Sequence, residues 1–216
     1  AGFDAVIVAT GVTPRALRIP GSDHPSVLSY LDVLRDNKPV GKRVAIIGAG
    51  GIGFDVGEFL VEDAPSPTTD VARWTTEWGV DLSLEHRGGL VQARPEKPER
   101  DVWLLQRTEG RLGARLNKTS GWVHRATLKA KRVQMLGGVS YERIDDTGLH
   151  ISIGGKPQLL EVDNVVVCAG QEPNRGLADE LIAGGVTTHV IGGADVAAEL
   201  DAKRAIDQGT RLAAAL

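Results

Sequence analysis

The sequence predicts an α/β fold built on a parallel sheet, and one segment carries most of that prediction. Residues 44–47 form an apolar run typical of a buried strand, and Gly48, Gly50 and Gly53 follow with the spacing Gly-x-Gly-x-x-Gly. Beyond the glycines, apolar side chains recur at helical spacing, at Ile52, Val56, Phe59 and Leu60. A strand, a glycine-rich turn and a helix in this order predict a Rossmann-like dinucleotide-binding domain.

Each glycine of this turn is expected to have its own task. Gly48 permits the tight turn, Gly50 lets the backbone approach phosphate oxygens, and Gly53 lets the helix pack closely against the strand. The N–H groups and the positive end of the helix favour a diphosphate. We therefore expect Gly48, Gly50, Gly51 and Gly53 to bind the cofactor. The alternative is a glycine-rich turn without a ligand.

The end of the next strand indicates which nucleotide is bound. In such domains a carboxylate about 20 residues beyond the glycines holds the ribose 2′-hydroxyl. Here an insertion delays the second strand, which ends at Arg107 with no carboxylate before Glu109. A guanidinium suits a 2′-phosphate, so we expect NADPH rather than NADH. Arg111, Arg115 and Lys118 follow closely and are further candidates, but each of them is as readily interpreted as a solvated surface charge. Arg107 has the same alternative, a solvated charge at the end of a strand.

The remaining elements complete a three-layer α/β pattern with a β-meander. Residues 5–9 and 164–169 are expected to be buried strands, and residues 202–216 have helical periodicity. Short apolar runs within 133–162 predict an antiparallel meander. Residues 63–100 have no regular pattern apart from a short helical stretch near residues 74–78, which is typical of an insertion.

Composition excludes several classes of protein. The net charge is −3 and no basic cluster occurs, which argues against a nucleic-acid partner. No apolar run approaches the roughly 18–20 residues of a membrane span and no secretory signal is present, so we expect no membrane partner and a cytoplasmic location. Cys168 is the single cysteine, so the chain cannot supply the thiolates of an iron–sulfur cluster by itself. The chain enters a strand almost at once and begins without methionine, as expected of a piece of a longer protein.

Several motifs together resemble the two-dinucleotide flavoprotein disulfide-reductase superfamily. They are Ala9-Thr10-Gly11 after a strand, the internal glycine turn, Cys168-Ala-Gly-x-x-Pro-Asn174, and Ile191-Gly-Gly-Ala-Asp195, which is expected to open a helix. In that superfamily an NAD(P)H domain is inserted into a discontinuous FAD domain. The resemblance implies a partial FAD-binding domain formed by residues 1–30 and 162–216, with an NADPH-binding domain at 40–160.

The likeness extends over nearly the whole chain to the C-terminal half of bacterial NADPH-dependent 2,4-dienoyl-CoA reductases. Its further motifs are Gly121-Trp-x-His-Arg125, Gly138-Val-Ser-Tyr141 and Gln171-Glu-Pro-Asn-Arg175. The resemblance implies that hydride passes from NADPH to FAD, and that electrons then reach FMN in an N-terminal barrel through a 4Fe-4S cluster. The barrel and the first FAD-binding strand are missing from this chain, so the FAD site is expected to be incomplete and the chain to hold no catalytic residue.

Three residues are implied as flavin contacts by the same resemblance. Asp195 would accept a hydrogen bond from the ribityl chain, with a helix-starting aspartate as the alternative. Thr10 and Gly11 would lie on the same side of the flavin. His124 could line the nucleotide pocket, although a lone histidine on a helix more often packs or lies at the surface.

Two other functions remain open at this stage. The chain could belong to an amine-dehydrogenase-like relative in which the nucleotide is structural, or it could be a non-catalytic nucleotide-binding module. Arg107 argues against the first, because a structural nucleotide has no need of 2′-phosphate selectivity. The absence of the first FAD-binding strand keeps the second open.

Overall fold

The computed structural model describes residues 2–62, 65–198 and 200–216. The chain divides into two compact units. The first, here called the terminal unit, comprises Ala1–Ala16 and Gly170–Leu216. The second, the central unit, comprises Leu17–Ala169.

Strands and helices are interspersed between residues 27 and 136, whereas residues 134–173 contribute a succession of strands. The strands are β1 Val6–Val8, β2 Val12–Pro14, β3 Val27–Ser29, β4 Arg43–Ile47, β5 Asp101–Leu105, β6 Gln134–Leu136, β7 Val139–Asp145, β8 Gly148–Ile153, β9 Lys156–Leu160, β10 Asn164–Val167, β11 Gln171–Pro173 and β12 Thr188–Val190. The helices are α1 Tyr30–Leu34, α2 Gly51–Val61, α3 Val71–Trp78, α4 Gly121–Ala130, α5 Gly176–Ala183 and α6 Ala202–Ala215. None of them has the length and apolar character that a bilayer crossing requires, within the residues described.

The central unit is built on a five-stranded parallel sheet in the order β3-β10-β4-β5-β6. Strand β4 lies in the middle, and four of its five residues are buried. Strands buried on both faces read as continuous apolar runs, which is the pattern that residues 44–47 have in the sequence.

The two faces of this sheet bury separate apolar clusters. Val44 and Ile46 of β4 pack with side chains of α1, α2 and α4. Ala45 and Ile47 point to the opposite face and pack with β7 and β8. Alternate residues of a strand face opposite sides of a sheet, so β4 holds three layers together: helices, parallel sheet and antiparallel sheet. The predicted α/β fold class, with its Rossmann-like domain, is confirmed.

The antiparallel layer is smaller than the sequence indicated. Strands β7, β8 and β9 form a three-stranded meander. The sequence predicts that the apolar run at residues 133–136 belongs to the meander as well. That prediction is wrong, because β6 pairs in parallel with β5. A short apolar run fits either arrangement equally well, since periodicity does not report the direction of the partner strand.

In the insertion at residues 63–100, of which the structure describes residues 65–100, α3 is a well-formed helix. Asp70 caps the start of α3 by accepting a hydrogen bond from the backbone N–H of Arg73, and Gly79 ends the helix in the left-handed conformation. Glu77 of α3 forms a buried ion pair with Lys131 at the end of α4, with 3.3 Å between Nζ and Oε1. This pair attaches the insertion to α4 within the central unit.

The described part of the terminal unit forms two small sheets and two α-helices. Strand β1 pairs in parallel with β12, and β2 pairs antiparallel with β11. Val8 of β1 is buried but Ile7 is 45% exposed, so the expectation of a fully buried strand is wrong. The resemblance predicts that residues 17–30 and 162–169 belong to this part of the chain. They belong to the central unit instead, because β3 and β10 are hydrogen-bonded strands of its sheet.

Candidate functional site

Steric constraints require two glycines of the Gly-x-Gly-x-x-Gly turn. Gly48 has φ +112°, and a Cβ there would lie 2.5 Å from the carbonyl oxygen of Cys168. A Cβ on Gly53 would lie 1.8 Å from the carbonyl oxygen of Gly48. Real side chains do not fit at either distance, so these glycines allow β4, the turn and α2 to approach one another.

Gly50 and Gly51 differ from Gly48 and Gly53, because no atom of the residues that the structure describes lies within 4 Å of the Cβ positions that they lack. Gly50 is the N-cap of α2 at φ −84°, a backbone conformation open to any residue. The cap makes no side-chain hydrogen bond, and no acidic residue lies in the first turn. The first N–H groups of a helix have no intrahelical acceptor. The start of α2 therefore presents donors and open space with no carboxylate in its first turn, which suits a diphosphate.

The end of β10 forms the support of the turn. Cys168 donates its backbone N–H to Ile47 at 2.8 Å, and its carbonyl lies against Gly48. Burial raises the pKa of the Cys168 thiol to about 12, and the negative charge of Asp55 adds to that rise. A thiol with this pKa stays protonated at neutral pH. Asp55, exposed on α2, is a charged group beside the turn that the sequence analysis did not single out.

Arg107 lies two residues beyond β5, the strand next to β4. It is exposed, as are Arg111, Arg115 and Lys118 in the segment that we call the basic loop, residues 107–118. None of these four cations makes a hydrogen bond or an ion pair with any residue that the structure describes. Burial raises the pKa of Tyr141 and the charge of Arg107 counteracts part of that rise, which indicates proximity between them. The basic loop thus presents unpaired positive charge next to the strand that carries the turn.

His124 is paired within the fold. Its Nδ1 lies 2.9 Å from Oε1 of Glu58, so the contact joins α4 to α2. Burial raises the pKa of Glu58, and the interaction with His124 offsets part of that rise. This contact supports the packing interpretation of His124. The next residue, Arg125, contacts the basic loop: its Nη1 donates to the carbonyl oxygen of Gly113 at 2.9 Å.

In the terminal unit, Thr10 and Gly11 lie in the connection between β1 and β2. Thr10 donates its hydroxyl to the carbonyl of Asn174 at 2.6 Å, and Asn174 donates its backbone N–H to the carbonyl of Gly11 at 3.0 Å. Gly11 has φ +75°. A Cβ on Gly193 would lie 3.1 Å from the carbonyl carbon of Gly11. The motif that contains Gly11 and the motif that contains Gly193 are far apart in sequence, and their backbones lie against each other.

Asp195 does not open the terminal helix, and the expectation that it does is wrong. A short 3-10 turn, Gly192–Ala194, precedes it, whereas α6 begins at Ala202 with Asp201 as its N-cap. The side chain of Gln208 on α6 donates to Oδ2 of Asp195 at 3.0 Å and accepts from the N–H of Gly192 at 2.8 Å. A hydrogen-bonded turn thus positions this carboxylate.

The candidate residues fall into two groups, one in each unit. The central unit holds the glycine turn with Arg107 and Lys118, and the terminal unit holds Thr10, Gly11 and Asp195. Among residues 2–62, 65–198 and 200–216, no group of three or more His, Cys, Asp or Glu side chains could bind a metal ion.

Comparison with known proteins assigns these features to a family. Residues 1–204 match the family described as pyridine nucleotide-disulphide oxidoreductase. Mercuric reductase from Bacillus cereus is 25% identical over 171 residues, a match that covers 77% of this chain and 21% of that protein. The chain spans about a quarter of the length of the curated relatives that match over most of it.

Two solved structures have the same fold over almost the entire chain. A 2-naphthoyl-CoA reductase in complex with 2-naphthoyl-CoA superposes with a TM-score of 0.70 at 22% identity, covering 97% of this chain and 26% of that one. Histamine dehydrogenase from Rhizobium sp. 4-9 also gives 0.70, at 18% identity, covering 100% of this chain and 31% of that one.

Proposed function

The chain belongs to the pyridine nucleotide-disulphide oxidoreductase family of FAD- and NAD(P)H-binding enzymes, and from that membership we propose a specific role for it. It is the electron-input part of an NADPH-dependent flavoenzyme that reduces 2,4-dienoyl-CoA in fatty acid β-oxidation. NADPH binds to the central unit, and FAD binds with the help of the terminal unit.

One observation carries the nucleotide assignment: unpaired cations follow the strand next to the glycine turn. The open space beside Gly50 and the uncapped start of α2 suit the diphosphate of a dinucleotide. Arg107, exposed and without an ion-pair partner among the described residues, suits a 2′-phosphate. Lys118 adds a positive charge in the same loop. A carboxylate in place of Arg107 would repel that phosphate and favour NADH.

The terminal unit offers groups that fit a flavin. Among the described residues, the Asp195 carboxylate accepts one side-chain hydrogen bond, from Gln208 to Oδ2, which leaves it with acceptor capacity for a hydroxyl donor. Gly11 provides a backbone approach without a side chain. When bound, FAD supplies a hydride acceptor, and Thr10, Gly11 and Asp195 are the residues of this chain that would hold it.

The acyl-CoA substrate belongs to the whole protein. Sequence motifs across most of the chain resemble dienoyl-CoA reductases, and the similar 2-naphthoyl-CoA reductase structure is of a protein in complex with an aromatic acyl-CoA. We propose that a barrel with FMN and a 4Fe-4S cluster completes the enzyme, and that NADP(H) and this barrel are the partners of the chain.

Replacing Arg107 tests the nucleotide assignment. We expect Arg107→Ala to weaken NADPH binding roughly tenfold or more, since a charge-assisted contact contributes about 1.5–3 kcal/mol. NADH affinity, measured by the same titration calorimetry, is expected to change less than about twofold. Arg18→Ala, which removes an exposed arginine outside the basic loop, is the matched control. Equal weakening of both nucleotides by Arg107→Ala would contradict the assignment.

An amine dehydrogenase is the second candidate, favoured by the likeness to histamine dehydrogenase over the full chain. Steady-state assays of the complete enzyme discriminate between the two. The proposed function requires NADPH consumption with a 2,4-dienoyl-CoA. Oxidation of an amine without any dependence on NADPH would establish the second candidate instead.

A further inference from the structure

We propose that Arg125 is a positioning residue for nucleotide selectivity: it holds the basic loop in the conformation in which its cations meet the 2′-phosphate of NADPH. This inference rests on the proposed function. It adds a residue of α4, outside the loop and outside the glycine turn, to the determinants of the choice between NADPH and NADH.

Among the described residues, one side-chain hydrogen bond joins the basic loop to α4, and Leu112 of the loop packs in the same apolar cluster as Leu128 of α4. Nη1 of Arg125 donates to the carbonyl oxygen of Gly113 at 2.9 Å. Gly113 lies between Arg107 and Lys118, so the contact fixes the middle of the loop. The first part of the loop is held differently, by Gln106, whose side chain donates to the carbonyl of Thr108 at 2.9 Å.

Gly113 also brings the loop against the helix of the glycine turn. It is buried with φ +69°, and a Cβ there would lie 2.8 Å from Cζ of Phe54. Phe54 is fully buried and directly follows Gly53. Because residue 113 has no side chain, the loop can lie against α2. Arg125 is therefore bonded to the point at which the basic loop and the candidate phosphate-binding helix meet.

The environment of Arg125 argues against a role in packing alone. Its Nε is buried and has no hydrogen-bond partner among the described residues. A buried donor without a partner is unfavourable, and methionine would fill a similar volume without that cost. The contact with the Gly113 carbonyl is the interaction that this guanidinium supplies and that an apolar side chain would not.

Nucleotide affinity in three variants of the full chain tests the proposal. Arg125→Met removes the hydrogen bond while preserving bulk, and Arg125→Lys keeps the charge without the guanidinium geometry that reaches Gly113. Lys129→Gln removes an exposed charge from the same helix and serves as the control. Dissociation constants for NADPH and NADH are measured together with the thermal unfolding midpoint of each variant.

We expect both Arg125 variants to weaken NADPH binding roughly five- to tenfold while NADH binding changes less than about twofold, with Lys129→Gln unchanged. A purely structural role would lower the unfolding midpoint and weaken both nucleotides equally, which would overturn the proposal. Full NADPH affinity in Arg125→Lys would also overturn it, because charge rather than position would then be decisive.

The same measurements separate this inference from the proposed function. If the wild-type chain does not prefer NADPH to NADH, the proposed function fails. If Arg107→Ala changes the preference for NADPH and the Arg125 variants do not, only the role of Arg125 fails.

Discussion

Gly50 and Gly53 belong to the same motif, yet the structure requires each of them for a different reason. At position 53 a side chain collides with the backbone of Gly48 inside the fold, whereas at position 50 a side chain enters open space at the start of α2. Gly53 is therefore required by the packing of the fold, whereas Gly50 is required only by the proposed phosphate site. Substitutions can separate the two effects.

We predict that Gly50→Val folds but no longer binds a dinucleotide. Valine is a poorer N-cap than glycine, which costs about 1 kcal/mol or less, or a few degrees in the unfolding midpoint. Gly53→Ala is the contrasting variant, expected to lose about 3 kcal/mol or more because backbone must move. Thermal unfolding and NADPH titration of both variants check this prediction. NADPH binding by Gly50→Val at wild-type affinity would contradict the phosphate assignment of the turn.

At the scale of elements, the short helix α1 depends on its capping box. Asp32 accepts a hydrogen bond from the backbone N–H of Ser29 at 2.7 Å, and the Ser29 hydroxyl accepts one from the N–H of Asp32 at 3.2 Å. A hydrogen bond from Lys38, followed by those from Ser29, lowers the pKa of Asp32 to about 2. A five-residue helix has little intrinsic stability, so these contacts define where it starts.

The lowered pKa of Asp32 leads to a prediction about acid stability. A carboxylate with a depressed pKa stabilises the fold above its ordinary value of 3.8, and this contribution is lost as the pH falls towards about 2. We expect Asp32→Ala to lower the free energy of unfolding at pH 6 by about 1 kcal/mol. This difference in the free energy of unfolding between the variant and wild type should shrink as the pH falls from 3.8 to about 2, as measured by urea unfolding. Asp23→Ala, at an exposed position, is the control; a pH-independent difference would refute the linkage.

The buried ion pair between Glu77 and Lys131 attaches the insertion to α4. Removing one partner of this pair is not expected to cost the same stability as removing the other. Glu77 also lies 4.0 Å from Arg73, so it keeps a cation when Lys131 is removed. We predict that Glu77→Leu costs about 3–5 kcal/mol, because it leaves the Lys131 ammonium buried without its partner. Lys131→Met should cost less. The double variant should recover most of the loss, and equal costs in the two single variants, measured by chemical denaturation, would contradict this argument.

At the scale of the whole molecule, burial is distributed unequally between the two units. Both apolar clusters consist of residues of the central unit together with partly buried neighbours, whereas no residue of α6 is buried in the part of the chain that the structure describes. Local stability follows buried apolar contacts. The units should therefore differ in how readily their backbone opens.

Hydrogen exchange followed by mass spectrometry checks this difference. We predict that the amides of α6 exchange much faster than those of α2, a helix of comparable length in the central unit. Amides of β4 and β10, which have strands on both sides, should exchange slowest. Equal protection of α2 and α6 would show that burial within the chain does not control the opening of α6.

Several elements were predictable because their signals are local. The run at residues 44–47, the glycines and the helix after them are close in sequence, and their pattern specifies a strand, turn and helix directly. Asp195 shows where this reasoning fails. Its motif resembles the start of a helix, but the residue that caps α6 is Asp201. Asp195 lies before the helix, where Gln208 bonds both to its carboxylate and to the N–H of Gly192.

The sequence by itself determined the dinucleotide-binding turn, the cation after the second strand and the α/β class, because backbone sterics and side-chain periodicity act between near neighbours. Only the tertiary structure decided that β10 lies between β3 and β4, that β6 leaves the meander, and that Arg125 reaches the basic loop. The physical reason is that strand pairing and long-range hydrogen bonds depend on how distant surfaces pack. An apolar run or an arginine read alone is compatible with several partners, and the packed core selects one of them.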